Sequence, residues 1–277
     1  MTDDARRTPK FPLRLDQMSV AKQKAASAPP PAREVLRPQQ PLQHAAATSA
    51  RKNMPTGLGL DSAGVRRRMV ERLRQDGLRH EAVLAAIADV PRHLFVDAAL
   101  ATQAYEDTSL PIGHGQTISK PSVVGRMIEL LMGGANARAS GQPARVLEIG
   151  TGCGYQAAVL ARLARQVYSV ERVKPLHDKA RELMAPLRIG NVRLVYGDGM
   201  LGHPPNAPYD AIIAAAGGES LPAAWIEQLA VGGRIVAPVS DNGLRQVLVV
   251  VDRTEQGCER SVHEVVQFVP LKSGLVR

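Results

Sequence analysis

The spacing of apolar residues changes near the middle of this chain. Between about residues 61 and 132 apolar side chains recur every three or four positions, which predicts amphipathic helices. Asp61 or Ser62 can cap the first of them, and Gly77, Pro91 and the pair Gly133-Gly134 interrupt the pattern. The expected helices carry the apolar positions of 65–73, 83–90 and 123–131, the last one beginning at Pro121.

From residue 145 onward, short apolar runs of strand length alternate with helical segments. This alternation predicts a parallel sheet whose strands are joined by right-handed crossovers. After Gly232-Gly233 the helical pattern stops, and the last two strand-like runs could pair antiparallel at an edge. The expected strands are 145–150, 167–171, 192–197, 209–215, 234–239, 246–253 and 262–269, and the expected helices are 155–165, 175–187 and 222–230.

The net charge of +9 is concentrated at the amino terminus. Residues 1–55 contain ten Lys/Arg and four Asp/Glu, which leaves 25 and 22 for the rest of the 277 residues. This basic, proline-rich stretch has few apolar residues, so we expect 1–57 to be a disordered leader. It could be an extension without a function or a weak tether for anions. An ordered domain is expected over 58–277.

Two cysteines, Cys153 and Cys258, show neither metal-ligand spacing nor a disulfide framework. Free thiols suit a reducing compartment, which favours the cytoplasm. No apolar run approaches the ~18 residues that span a bilayer, and no signal-peptide core follows Met1. We therefore expect no membrane association, and we expect a monomer.

Three alternating glycines join the predicted strand at 145–150 to a helix. Glycine permits a tight turn there and lets a ligand lie directly on the backbone. Tyr155 stands where a dinucleotide fold needs its third glycine, and no Gly-Lys-Ser/Thr of a phosphate loop follows. The pattern is Glu-x-Gly-x-Gly-x-Gly, and its expected cofactor-binding residues are Glu148, Gly150, Thr151, Gly152 and Gly154.

The next two predicted strands also end in acidic residues. Glu171, 21 positions after Gly150, can accept hydrogen bonds from both hydroxyls of a ribose. Asp198 can accept one from an adenine amino group, and Gly199 lets the backbone approach the ring. Singly, Glu171 could be a solvated charge and Asp198 part of a turn. Together, with no basic residue in the glycine turn, they predict a ligand without phosphate, and S-adenosylmethionine fits.

The acceptor is indicated by the stretch Leu110-Pro111-Ile112-Gly113-His114-Gly115-Gln116-Thr117-Ile118-Ser119-Lys120-Pro121. Here the sequence resembles the protein-L-isoaspartate (D-aspartate) O-methyltransferases, and the likeness extends over about residues 60–272. It also rests on Val90-Pro91-Arg92, Phe95-Val96, Leu147 to Gly152, Gly197-Asp198-Gly199, Pro208 to Ile213, Gln228-Leu229, Gly232-Gly233-Arg234 and Phe268-Val269-Pro270-Leu271.

The resemblance implies a Rossmann-like, S-adenosylmethionine-dependent methyltransferase of α/β class. Residues 58–140 would form a helical N-terminal cap with the substrate loop, and 141–277 a cofactor-binding sheet with antiparallel C-terminal strands. It implies methyl transfer to the free carboxylate of L-isoaspartyl, and D-aspartyl, residues in damaged proteins. The ester then closes to a succinimide, whose hydrolysis returns some normal aspartate.

The family's Gln-Thr-Ile-Ser serine is its catalytic or carboxylate-binding residue, and Ser119 holds that position here. A carboxylate is ionised at neutral pH, since its pKa is ~4, so the site needs to desolvate and aim it rather than deprotonate it. Without the family, Ser119 would be interpreted as a helix N-cap, a role compatible with carboxylate binding. The expected substrate loop consists of Pro111, Ile112, Gly113, His114, Gly115, Gln116, Thr117 and Ile118, with His114 lining a peptide groove rather than acting as a general base.

One departure from the family concerns Ala216-Gly217-Gly218-Glu219-Ser220, where relatives carry a proline-containing segment.

Two other functions remain as alternatives. A nucleic-acid methyltransferase would use the basic leader, but the chain lacks an Asn/Asp-Pro-Pro-Tyr/Phe element after the fourth strand and a Pro-Cys pair. A catalytically inactive scaffold would require a broken cofactor or Ser119 site, and both patterns are intact.

Overall fold

The computed structural model describes residues 63–241, 243 and 245–277. The expected leader and the capping residues Asp61 and Ser62 therefore lie outside the described part. The three predicted helices of the cap are confirmed as α1 (Ala63–Gln75), α2 (Glu81–Asp89) and α3 (Pro121–Met132). Two 3-10 helices, Arg92–Phe95 and Ala98–Gln103, follow α2.

The stretch before α3 contains structure that the sequence pattern did not predict. Strands β1 (Leu110–Gly113) and β2 (Gln116–Ile118) pair antiparallel as a separate two-stranded hairpin. The turn between them needs a positive φ at Gly113, His114 and Gly115 (98°, 54° and 67°), which glycine adopts freely. A short helix, α4 (Ala135–Ser140), follows α3 and was also not predicted.

The second half folds into one seven-stranded sheet, as the alternation predicted. The order is β5-β4-β3-β6-β7-β8-β9, parallel from β5 to β7 and antiparallel at β7–β8 and β8–β9. The elements are β3 (Arg145–Ile149), α5 (Tyr155–Leu160), β4 (Gln166–Glu171), α6 (Lys174–Met184), β5 (Val192–Tyr196), β6 (Tyr209–Ala214), α7 (Ala223–Gln228), β7 (Leu229–Asp241), β8 (Arg245–Thr254) and β9 (Gly257–Val266).

The largest differences from the predicted boundaries concern α5, β7 and β9. Helix α5 ends at Leu160 rather than at 165, and the Asn191 amide donates to the carbonyls of Ala161 and Ala164 just beyond it (2.9 and 3.0 Å). Strand β7 continues through Gly232-Gly233 instead of starting at 234. Strand β9 occupies 257–266 rather than 262–269, because pairing with β8 from Thr254–Gly257 onward sets its register, whereas its own side chains are largely exposed.

Alternate residues of the central strand β3 point into two different apolar clusters. Val146 packs in the cluster that holds the cap, including Met127, whereas Leu147 packs in the cluster around Trp225 of α7. Both faces of the parallel sheet are thus covered, as parallel sheets require. Within the described residues, no helix combines the length and the apolar character needed to cross a bilayer.

Candidate active site

A cavity of about 490 Å³ lies where the carboxyl ends of the parallel strands meet the cap. Its size is typical of small-ligand sites. The strand order reverses at β3, since β4 lies on one side of β3 and β6 on the other, and open α/β sheets bind ligands in the crevice at such a reversal. Most of the predicted site residues line it: Ser119, Gly150, Thr151, Gly152, Glu171, Gly199, and His114, Gly115, Gln116, Thr117 and Ile118.

The glycine turn has the left-handed backbone that its sequence predicted. Gly150, Gly152 and Gly154 have φ values of 89°, 56° and 91°, which residues with a Cβ rarely adopt. Gly154 does not line the cavity; a Cβ there would lie 2.8 Å from the Met184 sulfur of α6. Gly154 therefore allows helix packing, whereas Gly150 and Gly152 face the cavity.

Glu171 ends β4 at the cavity wall, with its side chain almost fully buried. One carboxylate oxygen accepts a hydrogen bond from the amide of Gly152 and the other from the amide of Val173, both at 2.9 Å. An ionised carboxylate has about four acceptor positions. These two bonds fix its orientation and leave acceptor positions for two ligand hydroxyls.

Glu148 lies behind the cavity wall and does not line it. Its side chain is fully buried, and the hydroxyl of Ser169 donates a hydrogen bond to its carboxylate. Ser169 in turn contacts the Thr151 hydroxyl at 2.6 Å, so the three side chains link β3, β4 and the glycine turn. Burial raises the pKa of Glu148 to about 8. The structure thus gives Glu148 a supporting contact to the turn.

Asp198 also lies outside the cavity lining, although Gly199 is part of it. Its carboxylate accepts hydrogen bonds from the amide of Met200 at 2.9 Å and from that of Gly274 at 2.6 Å. Gly199 is held from the other side, since the indole N–H of Trp225 donates to its carbonyl at 2.8 Å. Asp198 therefore anchors the C-terminal segment beside the predicted adenine position.

Ser119 is half-buried and lines the cavity at the end of the hairpin. The interpretation of Ser119 as a helix cap is wrong: the N-cap of α3 is Lys120, without a side-chain cap. Asp107 supplies the capping contacts instead, by accepting hydrogen bonds from the amide and hydroxyl of Ser122 at 2.8 and 2.7 Å. Among the described residues no hydrogen bond engages the Ser119 hydroxyl.

Some of the other residues of the predicted substrate loop line the cavity, and others pack behind it. His114 occupies the exposed hairpin turn and lines the cavity, whereas Lys120 is exposed and does not. Pro111, Ile112 and Gly113 do not line it either. Ile112 is buried, and its terminal methyl group lies against Gly152, 3.2 Å from where a Cβ would be. The hairpin therefore packs directly on the glycine turn.

The C-terminal segment forms a wall that the sequence interpretation missed. Val269, Pro270, Leu271, Lys272 and Val276 line the cavity. The Arg172 guanidinium holds this segment by donating to the carbonyls of Gly274 and Ser273 at 2.8 and 3.0 Å. The Val276 amide donates to the Arg172 carbonyl at 2.8 Å. The motif 268–271 contributed to the family resemblance and was the available signal for this wall.

The loop after β6, where the sequence departs from the family, is hydrogen-bonded both to the C-terminal segment and to β7. Ala215 and Ala216 line the cavity. The amide of Gly217 donates to the Val269 carbonyl at 2.9 Å, and the Leu271 amide donates to the Gly217 carbonyl at 2.8 Å. The carbonyl of Gly218 accepts from Ser240 of β7 at 2.8 Å. This loop therefore holds the C-terminal segment against the sheet.

A family model for protein-L-isoaspartate (D-aspartate) O-methyltransferase matches residues 65–275, most of the chain. The chain belongs to this family. A relative from Methylibium petroleiphilum, named protein-L-isoaspartate O-methyltransferase, is 62% identical over 276 residues and covers 99% of both chains. One of the same name from Leptothrix cholodnii is 63% identical over 243 residues, covering 86% of this chain and 84% of the relative.

One solved structure agrees with this assignment, and a second agrees in fold. A protein-L-isoaspartate O-methyltransferase with 28% identity superposes with a TM-score of 0.67, covering 76% of this chain and 67% of the other. A Plasmodium falciparum protein crystallised with S-adenosyl-L-homocysteine has 24% identity and a TM-score of 0.64, covering 74% and 97%. Its likeness to this chain concerns the fold.

The cavity of this methyltransferase fits S-adenosylmethionine, the cofactor of the family. The glycine turn brings its backbone to the cavity wall and carries no basic side chain, and Arg172 at the wall is already bonded to the C-terminal segment. Lys272, on the C-terminal segment, is exposed. Cys153 lines the cavity but is buried, and burial raises its pKa to about 11, so its thiol is neutral at physiological pH. Beside Glu171 and the glycine turn, the lining therefore suits an uncharged ribose and a zwitterion better than a phosphate.

Proposed function

We propose that this protein transfers a methyl group from S-adenosylmethionine to the free carboxylate of L-isoaspartyl residues in damaged proteins, and also of D-aspartyl residues. Methylation would start repair through a succinimide. The observation that carries the proposal is that Glu171, at the end of β4, and Ser119, at the end of the substrate hairpin, line one cavity. The proposed donor position and the proposed acceptor position thus share one cavity.

The donor half of the proposal assigns Glu171 to the ribose hydroxyls and Gly150, Thr151 and Gly152 to the methionine end. When bound, the cofactor supplies a methyl group on a positively charged sulfur. Thr151 and Gly152 are held in place by Ser169 and Glu171. Glu148, Gly154 and Asp198, predicted as direct contacts, are proposed instead to fix the turn and the C-terminal wall.

The acceptor half assigns Ser119 to the substrate carboxylate. A carboxylate is already ionised near neutral pH, so orientation and removal of water supply most of the catalysis. The Ser119 hydroxyl can donate to one carboxylate oxygen and aim the other. The exposed hairpin from His114 to Thr117 offers the peptide a surface beside it. No side chain is needed as a general base.

Incubation with radiolabelled S-adenosylmethionine tests the proposal, with one peptide synthesised in L-isoaspartyl, L-aspartyl and D-aspartyl forms. We expect strong labelling of the L-isoaspartyl form, weaker labelling of the D-aspartyl form and none of the L-aspartyl form. Base-labile release of the label as methanol would establish an ester. Equal labelling of the two L forms would refute the assignment, and labelling of RNA or DNA would support the nucleic-acid alternative, which family membership does not favour.

We also propose that the enzyme acts as a cytoplasmic monomer. The proposed donor residue Glu171 and the proposed acceptor residue Ser119 line the same cavity of one chain, so the proposed site needs no residue of a second copy. Both cysteines are free thiols, as a reducing compartment allows. Sedimentation of the full chain with and without S-adenosyl-L-homocysteine would measure the oligomeric state, and fractionation of cells would measure the location.

A further inference from the structure

Arg92 is a fully buried arginine that lies beneath the substrate hairpin, outside the cavity lining. Resting on the proposed function, we propose that Arg92 is a positioning residue for methyl transfer. It fixes the backbone of Ser119 relative to the glycine turn, so that the hydroxyl meets the acceptor carboxylate at the methyl donor.

The first observation is a set of hydrogen bonds from one guanidinium to three segments of the cap. Nε donates to the carbonyl of Ala104 at 2.8 Å, and Nη2 donates to that of Ser119 at 2.7 Å. Nη2 also approaches the Thr108 carbonyl at 3.4 Å. The short bond to Ser119 joins the end of the hairpin to the 3-10 helix of Arg92, 27 residues earlier in the chain.

The second observation connects the same guanidinium to the cofactor side. Its central carbon lies 4.8 Å from the ring centroid of Tyr155, the first residue of α5 directly after the glycine turn. Tyr155 is buried and lines the cavity, and Phe95 packs edge-on against it with ring centroids 5.6 Å apart. Cation–π contacts of this kind are strongest when desolvated. Arg92 thus contacts both halves of the site.

The third observation is that the Ser119 side chain does not fix its own position. Its hydroxyl takes no part in capping α3, and within the described residues no hydrogen bond restrains it. The backbone carbonyl is therefore the point at which Ser119 is held. Misplacement of a reacting group by about 1 Å can cost on the order of 100-fold in rate. A hydrogen bond that fixes the Ser119 carbonyl would therefore help to keep the hydroxyl in place.

The geometry explains why an arginine, rather than a lysine, suits position 92. Burial lowers the pKa of the Arg92 guanidinium, but arginine remains charged in proteins. A planar fork can serve several carbonyls and lie over a ring at once, whereas the lysine ammonium is a point donor on a flexible chain. Arg92→Lys would keep the charge and lose the simultaneous contacts.

The test distinguishes a positioning role of Arg92 from a folding role. It does so by expressing turnover per protein molecule that still binds the cofactor product. Wild type, Arg92→Lys and Arg92→Gln would be titrated with S-adenosyl-L-homocysteine by calorimetry, and kcat and KM for the L-isoaspartyl peptide would be expressed per binding site. Arg72→Lys is the control, because the exposed Arg72 of α1 also donates to a carbonyl of the cap, that of Tyr105 at 2.7 Å, and among the described residues it has no hydrogen bond to the hairpin.

We expect kcat per site to fall about 10- to 100-fold in both Arg92 variants, with a raised peptide KM and a dissociation constant for S-adenosyl-L-homocysteine within about three-fold of wild type. Arg72→Lys should keep its kcat per site. Unchanged kcat per site in the Arg92 variants would overturn the proposal, as would loss of all cofactor-binding protein, which would assign Arg92 to folding. Failure of the wild type and Arg72→Lys to methylate the peptide would instead count against the proposed function.

Discussion

The carboxylate of Glu171 accepts a hydrogen bond from the amide of Gly152 at 2.9 Å, across 19 residues of sequence. The end of β4 and the glycine turn are thereby joined at the cavity wall. The same carboxylate that is proposed to bind the ribose also holds the turn that is proposed to bind the methionine end.

Glu171→Gln should therefore weaken cofactor binding. Glutamine has one acceptor oxygen in place of two and carries no charge, so it cannot serve both backbone amides and the ribose. Hydrogen bonds to a charged group contribute about 1.5–3 kcal/mol, which predicts a roughly 10- to 100-fold higher dissociation constant for S-adenosyl-L-homocysteine by calorimetry. Glu182→Gln, an exposed change on α6, is the control. Equal affinity of the two variants would contradict the ribose contact.

Ser119→Ala should lower turnover and leave cofactor binding nearly intact. Loss of one donor to an ionised carboxylate corresponds to about 1.5–3 kcal/mol, or roughly 10- to 100-fold in kcat. Ser122→Ala provides a comparison three residues away: it removes the hydrogen bond to Asp107 and should cost about 1 kcal/mol of stability with kcat near wild type. A loss of cofactor affinity in Ser119→Ala would argue against the acceptor role.

Glu148 should make the stability of the protein depend on pH. Its pKa of about 8 in the folded protein exceeds its usual value of 4.5, so the folded state keeps a proton that the unfolded chain releases. This contribution is fully present below pH 4.5 and is lost as the pH rises toward 8, with a slope of at most about 1.4 kcal/mol per pH unit.

Glu148→Gln removes this dependence, because the amide does not titrate and its carbonyl can still accept from Ser169. We expect the variant to gain stability relative to wild type as the pH increases from 5.5 to 7.5. Urea unfolding at several pH values measures the difference, in which the contributions of other titrating groups cancel. Parallel stability curves for the two proteins would refute the prediction.

Removal of residues 273–277 should weaken cofactor binding by opening one wall of the cavity. The truncation deletes both carbonyls that Arg172 binds, the amide that donates to Asp198, and the lining residue Val276. These hydrogen bonds contribute about 1 kcal/mol each, which predicts a loss of about 10-fold or more in affinity for S-adenosyl-L-homocysteine. Removal of Arg277 alone leaves the contacts of Val276 in place and should have little effect. Similar affinities for the two truncated proteins would show that the segment does not contribute to binding.

The elements predicted most accurately are those specified by local spacing. Strands β3 to β6 and helices α1 to α3 lie within a few residues of the positions that the apolar pattern indicated. Prediction failed at the β1–β2 hairpin, whose two strands are only four and three residues long, and at β9, whose register is set by β8 rather than by its own side chains.

The sequence alone determined the α/β alternation, the glycine turn and the cofactor class, because each depends on residue types at fixed positions along the predicted strands. The role of Ser119 was implied by the family resemblance and stays a prediction. The tertiary structure alone decided which side chains face the cavity. It placed Glu148 and Asp198 behind the wall, gave the capping of α3 to Asp107, and brought Arg92 to Ser119 and Gly274 to Asp198. A strand-end position specifies the edge of the sheet at which a side chain lies. Its partner across 27 or 76 residues depends on how the cap and the C-terminal segment pack, and local spacing does not encode that packing.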